Sequence, residues 1–281
     1  MFSRRALVIR IGALGDVLLT RRLSYSLSLA GFRTTLFAPR RHASLLEADP
    51  WIESVLDSES PAFAGAFEGS AHDGMGRFDL AVVLSRSGGL IRFAGSVSDR
   101  LLEVSPEPDS RGLPIAEQWA RAIEPEKNAF TGDLPDLPTD AARVFQRGAT
   151  LLHPGSGSPR KNWPLEKFVE LSRALREKGH AVRWLLGPAE AGVDLPPGET
   201  ALSNFELPDL AATLHAARVF IGNDSGVSHL SAAVGTSTTV LFGPTSADAW
   251  RPDGPRVRAI DAPDGDLTTL SVGSVLDGIE N

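Results

Sequence analysis

Residues 220–230 read FIGNDSGVSHL, and they are the most informative part of the sequence. An apolar strand ends at Gly222, a polar turn follows, and small apolar residues continue as a helix to Val234. Such a turn brings free backbone N–H groups and the positive end of a helix dipole to one point, which suits a phosphate. A second turn of this design lies upstream, where residues 151–164 read LLHPGSGSPRKNWP. Two turns that suit a phosphate lie in one half of the chain, which predicts that this half binds a diphosphate.

Strand and helix alternate through both halves, which predicts an α/β fold with a doubly wound parallel sheet in each half. Ligands bind at the carboxyl ends of strands in such sheets, and both turns lie there. Prolines between Glu124 and Thr139 predict a linker, which gives an N-terminal domain of residues 1–140 and a C-terminal domain of residues 141–281. We predict a last helix over residues 270–279, packed either on its own domain or back on the first.

Composition narrows the class of protein. With 281 residues, of which 42% are hydrophobic and 22% charged, the chain is typical of a soluble globular protein. It has no cysteine, and its histidines and carboxylates show no metal-ligand spacing, so we expect no metal site. No apolar run approaches the ~20 residues of a membrane-spanning helix. The acidic net charge of −7 and the lack of a basic–aromatic module argue against a nucleic-acid partner.

Charge is unevenly spread along the chain. Residues 1–50 hold eight arginines against three acidic residues and carry +5, on a chain whose total is −7. A basic region on an acidic background indicates an anionic partner or a membrane surface. A solvated face explains the same pattern equally well, and both interpretations stay open.

A third turn at a strand end, Gly12–Asp16, follows the first strand and begins a helix. Its glycines, Gly12 and Gly15, let a ligand approach the backbone. The turn lacks the G-x-G-x-x-G order, and no acidic residue ends the next strand, so an NAD site is disfavoured. Asp16 has two interpretations that can coexist: the N-cap of the helix, or a carboxylate that takes a proton from an acceptor hydroxyl.

The two phosphate-seeking turns supply the remaining candidates. In the upstream turn, Ser156 and Gly157 offer hydroxyl and backbone donors, and Lys161 offers a cation for a diphosphate leaving group when no metal is present. In the downstream turn, Asp224 either caps the helix or binds a sugar hydroxyl. Ser225 and Gly226 supply backbone N–H groups at the start of the helix. His229, one turn later, either makes a structural hydrogen bond or contacts a phosphate.

Four motifs occur in order along the chain. They are residues 7–20, LVIRIGALGDVLLT; His153–Ser156 with Lys161–Pro164; Gly222–Gly226 with His229; and residues 241–245, LFGPT. Together they resemble glycosyltransferase family 9, the ADP-heptose:lipopolysaccharide heptosyltransferases and their relatives. The resemblance extends from residue 6 to residue 260. Each motif alone is of modest specificity, but four in the same order are specific for the family.

The resemblance implies a GT-B fold, in which two Rossmann-like domains face each other across a cleft, with the acceptor on the N-terminal domain and the donor on the C-terminal one. It also implies an inverting, metal-independent transfer of heptose from ADP-heptose to a glycan or lipopolysaccharide-core acceptor, without a cofactor. By position, Asp16 is the catalytic base and Lys161 holds the donor phosphate. The other donor-binding residues implied by position are Ser156, Gly157, Glu190 for the ribose, Phe205 for the adenine, Asp224, Ser225, Gly226 and His229.

Several implications stay open. Gly157 stands where the family has a hydroxyl residue, so only its N–H remains. Arg86 and Arg92 either bind an anionic acceptor, together with the Gly12 and Gly15 turn, or are surface charges. We expect a cytoplasmic protein, with peripheral contact at the inner membrane as a further expectation. The alternatives to a transferase are a GT-B-type nucleotide-sugar epimerase, which needs no acceptor, and a non-catalytic nucleotide-sugar-binding protein.

Overall fold

The computed structural model describes most of the chain, namely residues 4–71, 75–110, 112–123, 132–143, 147–190 and 192–280. Contacts divide the chain into two compact units, Met1–Pro135 and Asp136–Asn281. Each unit contains one parallel sheet with helices between its strands. Residues 124–131 of the predicted linker lie outside the described residues.

The first unit is built on five parallel strands: β1 Arg4–Ile9, β2 Phe32–Ala38, β3 Ile52–Asp57, β4 Leu80–Val83 and β5 Leu101–Glu103. They form one sheet in the order β3-β2-β1-β4-β5. Its helices are α1 Leu14–Leu18, α2 Thr20–Leu29, α3 Arg40–Ala43, α4 Gly88–Val97 and α5 Ile115–Arg121. The apolar residues of the central strand, residues 6–9, have no exposed surface, as expected when helices cover both faces of a parallel sheet.

Helix α4 is an element that the sequence analysis did not predict. Its apolar residues recur at helical spacing and are buried with residues of β1 and β4; they are Leu90, Phe93, Ala94 and Val97. Ser87 is its N-cap, and the Ser87 Oγ accepts a hydrogen bond from the Leu90 N–H at 3.4 Å. A Cβ at Gly89 would lie 1.7 Å from the Phe67 carbonyl oxygen. Gly89 is therefore required by close packing, whereas a glycine pair in a sequence suggests a loop.

After the first strand, the sequence has a stripe of apolar residues at helical spacing that predicts one long helix. The structure has two helices there, α1 and α2, which meet at Leu19. The Thr20 hydroxyl donates to the Val17 carbonyl at 2.6 Å. A threonine hydroxyl bonded to a nearby carbonyl offers the backbone an alternative to the helix ladder, which accounts for the break. The apolar stripe itself is buried as predicted, at Leu19, Leu23, Leu27 and Ala30.

The second unit has six parallel strands: β6 Thr150–His153, β7 Val182–Leu185, β8 Ala201–Leu202, β9 Val219–Asn223, β10 Thr238–Phe242 and β11 Val257–Asp261. They form one sheet in the order β11-β10-β9-β6-β7-β8. Its helices are α6 Leu165–Glu177, α7 Leu207–His215, α8 Gly226–Ala233, α9 Ala247–Trp250 and α10 Val272–Glu280.

The core of the second unit is built around three large aromatic side chains. Trp163, Phe168 and Trp184 are each at most 1% exposed. Helix α10 contributes Val272 and Val275 to the same core. Residues of the last helix therefore belong to the core of the second unit.

Candidate active site

One buried amide ties two loops together at the carboxyl edge of the second unit's sheet. Asn223, at the end of β9, has no exposed surface. Its Nδ2 donates to the Pro154 carbonyl at 2.7 Å, and its Oδ1 accepts from the Trp163 N–H at 2.9 Å. The loop of residues 154–162 is thereby fixed at both ends against β9. The sequence analysis did not single out Asn223, although an amide between a buried strand and a polar turn was a signal for it.

Lys161 and Asp224 meet beside this amide. The Lys161 Nζ donates to Asp224 Oδ2 at 2.7 Å, and the two side chains are 31% and 8% exposed. Thr245, which follows β10, donates its hydroxyl to the same oxygen at 2.8 Å. Within the described part of the chain, Asp224 Oδ1 receives no hydrogen bond. One carboxylate oxygen is therefore held, while the other can accept a hydrogen bond from a ligand.

Helix α8 begins at the same edge of the sheet. Its N-cap is Ser225, whose Oγ accepts from the Ser228 N–H at 3.3 Å, so the expectation that Asp224 caps this helix is wrong. The first N–H groups of a helix have no partner within it, and the Ser225 hydroxyl takes only that of Ser228. The N–H of Gly226 and the positive end of the helix dipole are thus left for an anion.

Glu190 lies under the upstream loop. It is 8% exposed, and its Oε2 accepts from the Gly187 N–H at 2.8 Å. A Cβ at Gly155 would lie 1.8 Å from Glu190 Oε1, so the carboxylate packs directly on the glycine backbone. His153, at the end of β6, donates its Nδ1–H to the Leu185 carbonyl at 2.9 Å. Burial lowers the pKa of His153 below its usual 6.5, and the Leu185 carbonyl and the Glu190 charge offset this only in part.

The other predicted donor-binding residues are held in different ways. The Ser156 Oγ lies 2.7 Å from the Ser158 carbonyl oxygen and 2.6 Å from Asn162 Oδ1, so its hydroxyl is engaged within the loop. At Gly157 an added Cβ would meet no atom within 4 Å, so the position is open. The remaining two residues also belong to the second unit: half-buried Phe205 between β8 and α7, and buried His229 on α8.

In the first unit, Asp16 lies at the third position of α1. It is not the N-cap as one interpretation predicted, because that position is Ala13, whose N–H donates to Asp16 Oδ2 at 3.0 Å. The other carboxylate oxygen pairs with the Arg10 guanidinium. A Cβ at Gly12 would lie 2.7 Å from Asp16 Oδ2, which explains the glycine, and Gly15 is buried in α1. The Asp16 side chain is 27% exposed, so its carboxylate is both oriented and accessible.

The two predicted acceptor-side arginines make surface contacts in the first unit. Arg86 Nη2 pairs with Glu107 Oε2 at 2.8 Å, and these side chains are 68% and 60% exposed. Arg92, on α4, donates to the Glu68 carbonyl at 3.2 Å. Both contacts are typical of surface charges, and the binding of an anionic acceptor by these arginines stays a prediction.

No group of three or more His, Cys, Asp or Glu side chains in the described residues is placed to hold a metal ion. Over the same residues, no helix is both long enough and apolar enough to cross a bilayer. Cysteine is absent from the whole sequence.

Comparison with known proteins points to one family. The profile of glycosyltransferase family 9 (heptosyltransferase) matches residues 105–279. A lipopolysaccharide heptosyltransferase 3 of Escherichia coli is 33% identical over 102 residues, which cover 33% of this chain and 30% of that protein. This chain therefore matches less than a third of the length of that relative.

Two solved structures share the fold of this chain. A family 9 glycosyl transferase from Veillonella parvula has a TM-score of 0.84 at 17% identity, over 100% of this chain and 97% of that one. The E. coli ADP-heptose lps heptosyltransferase II has a TM-score of 0.74 at 20% identity, over 98% and 97% of the two chains. Together with the two parallel sheets, these likenesses confirm the predicted GT-B fold class. Because the family profile covers more than half of the sequence, the chain belongs to glycosyltransferase family 9, the heptosyltransferase family.

Proposed function

We propose that this protein is an inverting, metal-independent glycosyltransferase that moves heptose from ADP-heptose to a glycan of the lipopolysaccharide core. One observation carries the proposal. At the carboxyl edge of the second unit's sheet, Lys161, the N-terminus of α8 and a carboxylate oxygen of Asp224 adjoin one another. The choice of donor and acceptor rests on the relatives, which include an ADP-heptose heptosyltransferase of the same fold.

The second unit binds the donor in this proposal. The Lys161 ammonium and the first-turn N–H groups of α8 hold the diphosphate, since both present positive charge to an anion. A sugar hydroxyl donates to Asp224 Oδ1, the oxygen that receives no hydrogen bond from the described chain. Glu190 accepts a hydrogen bond from the ribose, and Phe205 contacts the adenine.

Asp16 is the base in the proposed reaction. It accepts the proton of an acceptor hydroxyl while the oxygen of that hydroxyl forms a bond to the anomeric carbon of the sugar. The bond from this carbon to the diphosphate oxygen breaks, and its electron pair leaves with ADP. Attack from the side opposite ADP inverts the configuration. Lys161 and the α8 N-terminus stabilise the charge that develops on the diphosphate, so the mechanism requires no metal ion.

A thermal-shift panel with ADP, UDP, GDP, CMP and NAD in the presence of EDTA tests the donor. A ligand at ~100 times its Kd adds ~2.7 kcal/mol to the stability of the state that binds it. We expect a shift with ADP. A shift with UDP or GDP instead keeps the transferase but rejects ADP-heptose, whereas a response to NAD alone rejects the whole proposal.

Turnover of ADP-heptose separates the transferase from its alternatives. With a lipopolysaccharide-core acceptor and EDTA, we expect release of ADP that depends on the acceptor, together with a glycosylated product. Conversion of the donor alone to an isomer would identify an epimerase. Binding of ADP without turnover over a panel of acceptors would identify a binding protein, and a requirement for added metal would contradict the metal-independent mechanism.

A further inference from the structure

Arg10 is a buried cation at the carboxyl end of β1, the central strand of the first unit's sheet, and it pairs with Asp16. The residue is 8% exposed. Its Nη1 donates to the Leu84 carbonyl at 3.2 Å, and its Nη2 pairs with Asp16 Oδ1. The guanidinium carbon lies 5.1 Å from the centre of the Trp119 ring. The Nε is buried and has no hydrogen-bond partner in the described residues.

Fold stability does not explain this arginine. Burial of an ion costs several kcal/mol unless its partners satisfy it fully, and here one buried N–H is left without an acceptor. Replacement of buried ion pairs by apolar residues of similar volume is often neutral or stabilising. A buried polar group that is only partly satisfied needs another explanation, of which a role in the site is one.

The contacts of Arg10 fix the direction of one carboxylate. The hydrogen bond to Leu84 and the Trp119 ring orient the guanidinium, and its planar shape transmits that orientation to Asp16 Oδ1. The Ala13 N–H holds Oδ2 at 3.0 Å. Each carboxylate oxygen thus has one donor from the protein. The Asp16 side chain is still 27% exposed, so lone pairs remain accessible to an acceptor hydroxyl.

We propose that Arg10 is a positioning residue, which holds the Asp16 carboxylate in the orientation that accepts the proton from the acceptor hydroxyl. The inference rests on the proposed function, in which Asp16 is the base. Lysine cannot replace this arginine fully, since an ammonium is a point charge and lacks the rigid fork that bonds Leu84 and Asp16 together.

The test is a double-mutant cycle of turnover with Arg10→Gln and Asp16→Asn. A misplacement of ~1 Å can cost ~10²-fold in rate, so Arg10→Gln should lower kcat by about that factor. The KM for the donor and the Kd for ADP should stay within ~2-fold of the wild-type values, because Arg10 has no part in binding the donor. In the Asp16→Asn background, Arg10→Gln should cause no further loss, since residues that act as a unit are non-additive.

Two further variants complete the experiment. Arg5→Gln is the matched control. Arg5 lies on β1, the strand that Arg10 follows, and its guanidinium also lies over an aromatic ring, at 4.6 Å from the Phe78 centroid. It pairs with Glu53 rather than with Asp16, so turnover of this variant should be normal. Arg10→Lys retains the charge without the fork, and it should fold while kcat stays low. The unfolding transition of each variant shows whether a loss of activity is a loss of structure.

The outcomes separate the positioning role from the proposed function. Normal turnover of Asp16→Asn rejects Asp16 as the base, and with it the inference. If Asp16→Asn is inactive but Arg10→Gln turns over normally, the positioning role is wrong and the proposed function stands. The positioning role is also wrong if Arg10→Gln lowers kcat by the same factor in the wild-type and Asp16→Asn backgrounds, or if Arg10→Lys has full activity. If Arg10→Gln does not fold, the Arg10→Lys result decides.

Discussion

Removal of the Lys161 ammonium is the most direct test of the donor site at the scale of single residues. Lys161→Ala deletes one charged hydrogen bond to a phosphate and leaves the buried Asp224 carboxylate without its cation. Hydrogen bonds to charged groups are worth ~1.5–3 kcal/mol, so the Kd for ADP should rise ~10–100-fold in calorimetric titrations. Arg160→Ala removes an exposed cation from the adjacent position and should change the Kd by less than ~2-fold. Equal losses in the two variants would contradict the assignment.

Two glycines in one loop should respond differently to an added methyl group. In Gly155→Ala the Cβ would stand 1.8 Å from Glu190 Oε1, which must move, whereas in Gly157→Ala it meets nothing within 4 Å. Overpacking costs ~1–3 kcal/mol, while open surface substitutions stay within ~0.5 kcal/mol. Urea unfolding should therefore show a loss for Gly155→Ala only. A similar loss at both positions would mean that the loop is more closely packed than the structure shows.

Some contacts of the candidate site residues were not predictable from the sequence. Asp16 and Asp224 were both interpreted as possible N-caps, yet the N-caps are Ala13 and Ser225. Spacing placed the helix start one residue from the observed N-cap at Ser225 and three residues from it at Ala13, and it does not show which side chain bends back to the free N–H groups. Asn223 was missed because its partners lie 60 and 69 residues away in the sequence.

At the scale of elements, one carboxylate joins α6, β7 and the loop before β8. Glu199 accepts hydrogen bonds from Trp184 Nε1 and Arg176 Nη2, each at 2.7 Å, and from Ser172 Oγ at 3.0 Å. Burial by itself raises the pKa of Glu199, but the bonds from Trp184, Arg176 and Ser172 outweigh it, so the pKa lies below the usual 4.5. The ionised carboxylate therefore stabilises the folded state above pH 4.5, and this contribution is lost as the pH falls through the lowered pKa.

Glu199→Gln should remove this acid dependence. At pH 7 the free energy of unfolding should fall by about 2 kcal/mol, because a neutral amide replaces an ion that accepts three hydrogen bonds. The difference from the wild type should shrink as the pH falls below 4.5, because the unfolded wild-type chain binds a proton there before the folded one does. Denaturant titrations from pH 3 to pH 7 measure this difference. Glu177→Gln replaces an exposed acid on α6 and should leave the curve unchanged. A constant difference across the range would contradict the pKa argument.

Strands that are buried on both faces were predictable from the sequence. For example, the short apolar run of residues 238–242 lies between turns and by itself predicts a buried strand, and these are the bounds of β10. Elements whose sequence pattern fits two kinds of structure were not predictable. Helix α4 was missed since its apolar spacing follows two glycines, and only the nearby Phe67 carbonyl explains Gly89. Strand β8 has two residues and helix α9 has four, too few to show a period.

For the chain as a whole, the class of fold follows from alternation of strands and helices, and the rule that ligands bind at the carboxyl ends of strands locates the proposed donor loops. Lys161 comes from the loop after β6, and Asp224 and Ser225 come from the turn after β9. The two loops adjoin one another through the contact between Lys161 and Asp224. The rule does not predict that Lys161 and Asp224 pair with each other. The Lys161–Asp224 contact depends on side-chain lengths and burial, which only the folded chain defines.

Acidification should destabilise the second unit selectively. Burial lowers the pKa of His153 below 6.5, so below pH 6.5 the unfolded chain binds a proton that the folded one does not, and stability falls by at most ~1.4 kcal/mol per pH unit until the lowered pKa is reached. In the first unit, burial raises the pKa of Asp49 above 3.8 even though Arg21 pairs with it, so protonation of Asp49 in acid favours the folded state.

Hydrogen exchange read by mass spectrometry at pH 7.0 and pH 5.5, corrected for intrinsic rates, measures the two units separately. Amides of β6, β7 and β9 should lose protection at the lower pH, whereas those of β1, β2 and β4 should not. In His153→Asn the amide Nδ2 takes the place of the imidazole Nδ1, so it can donate to the Leu185 carbonyl but does not titrate, and the loss in the second unit should disappear. Equal losses in both units, or an unchanged loss in His153→Asn, would show that another group controls the acid response.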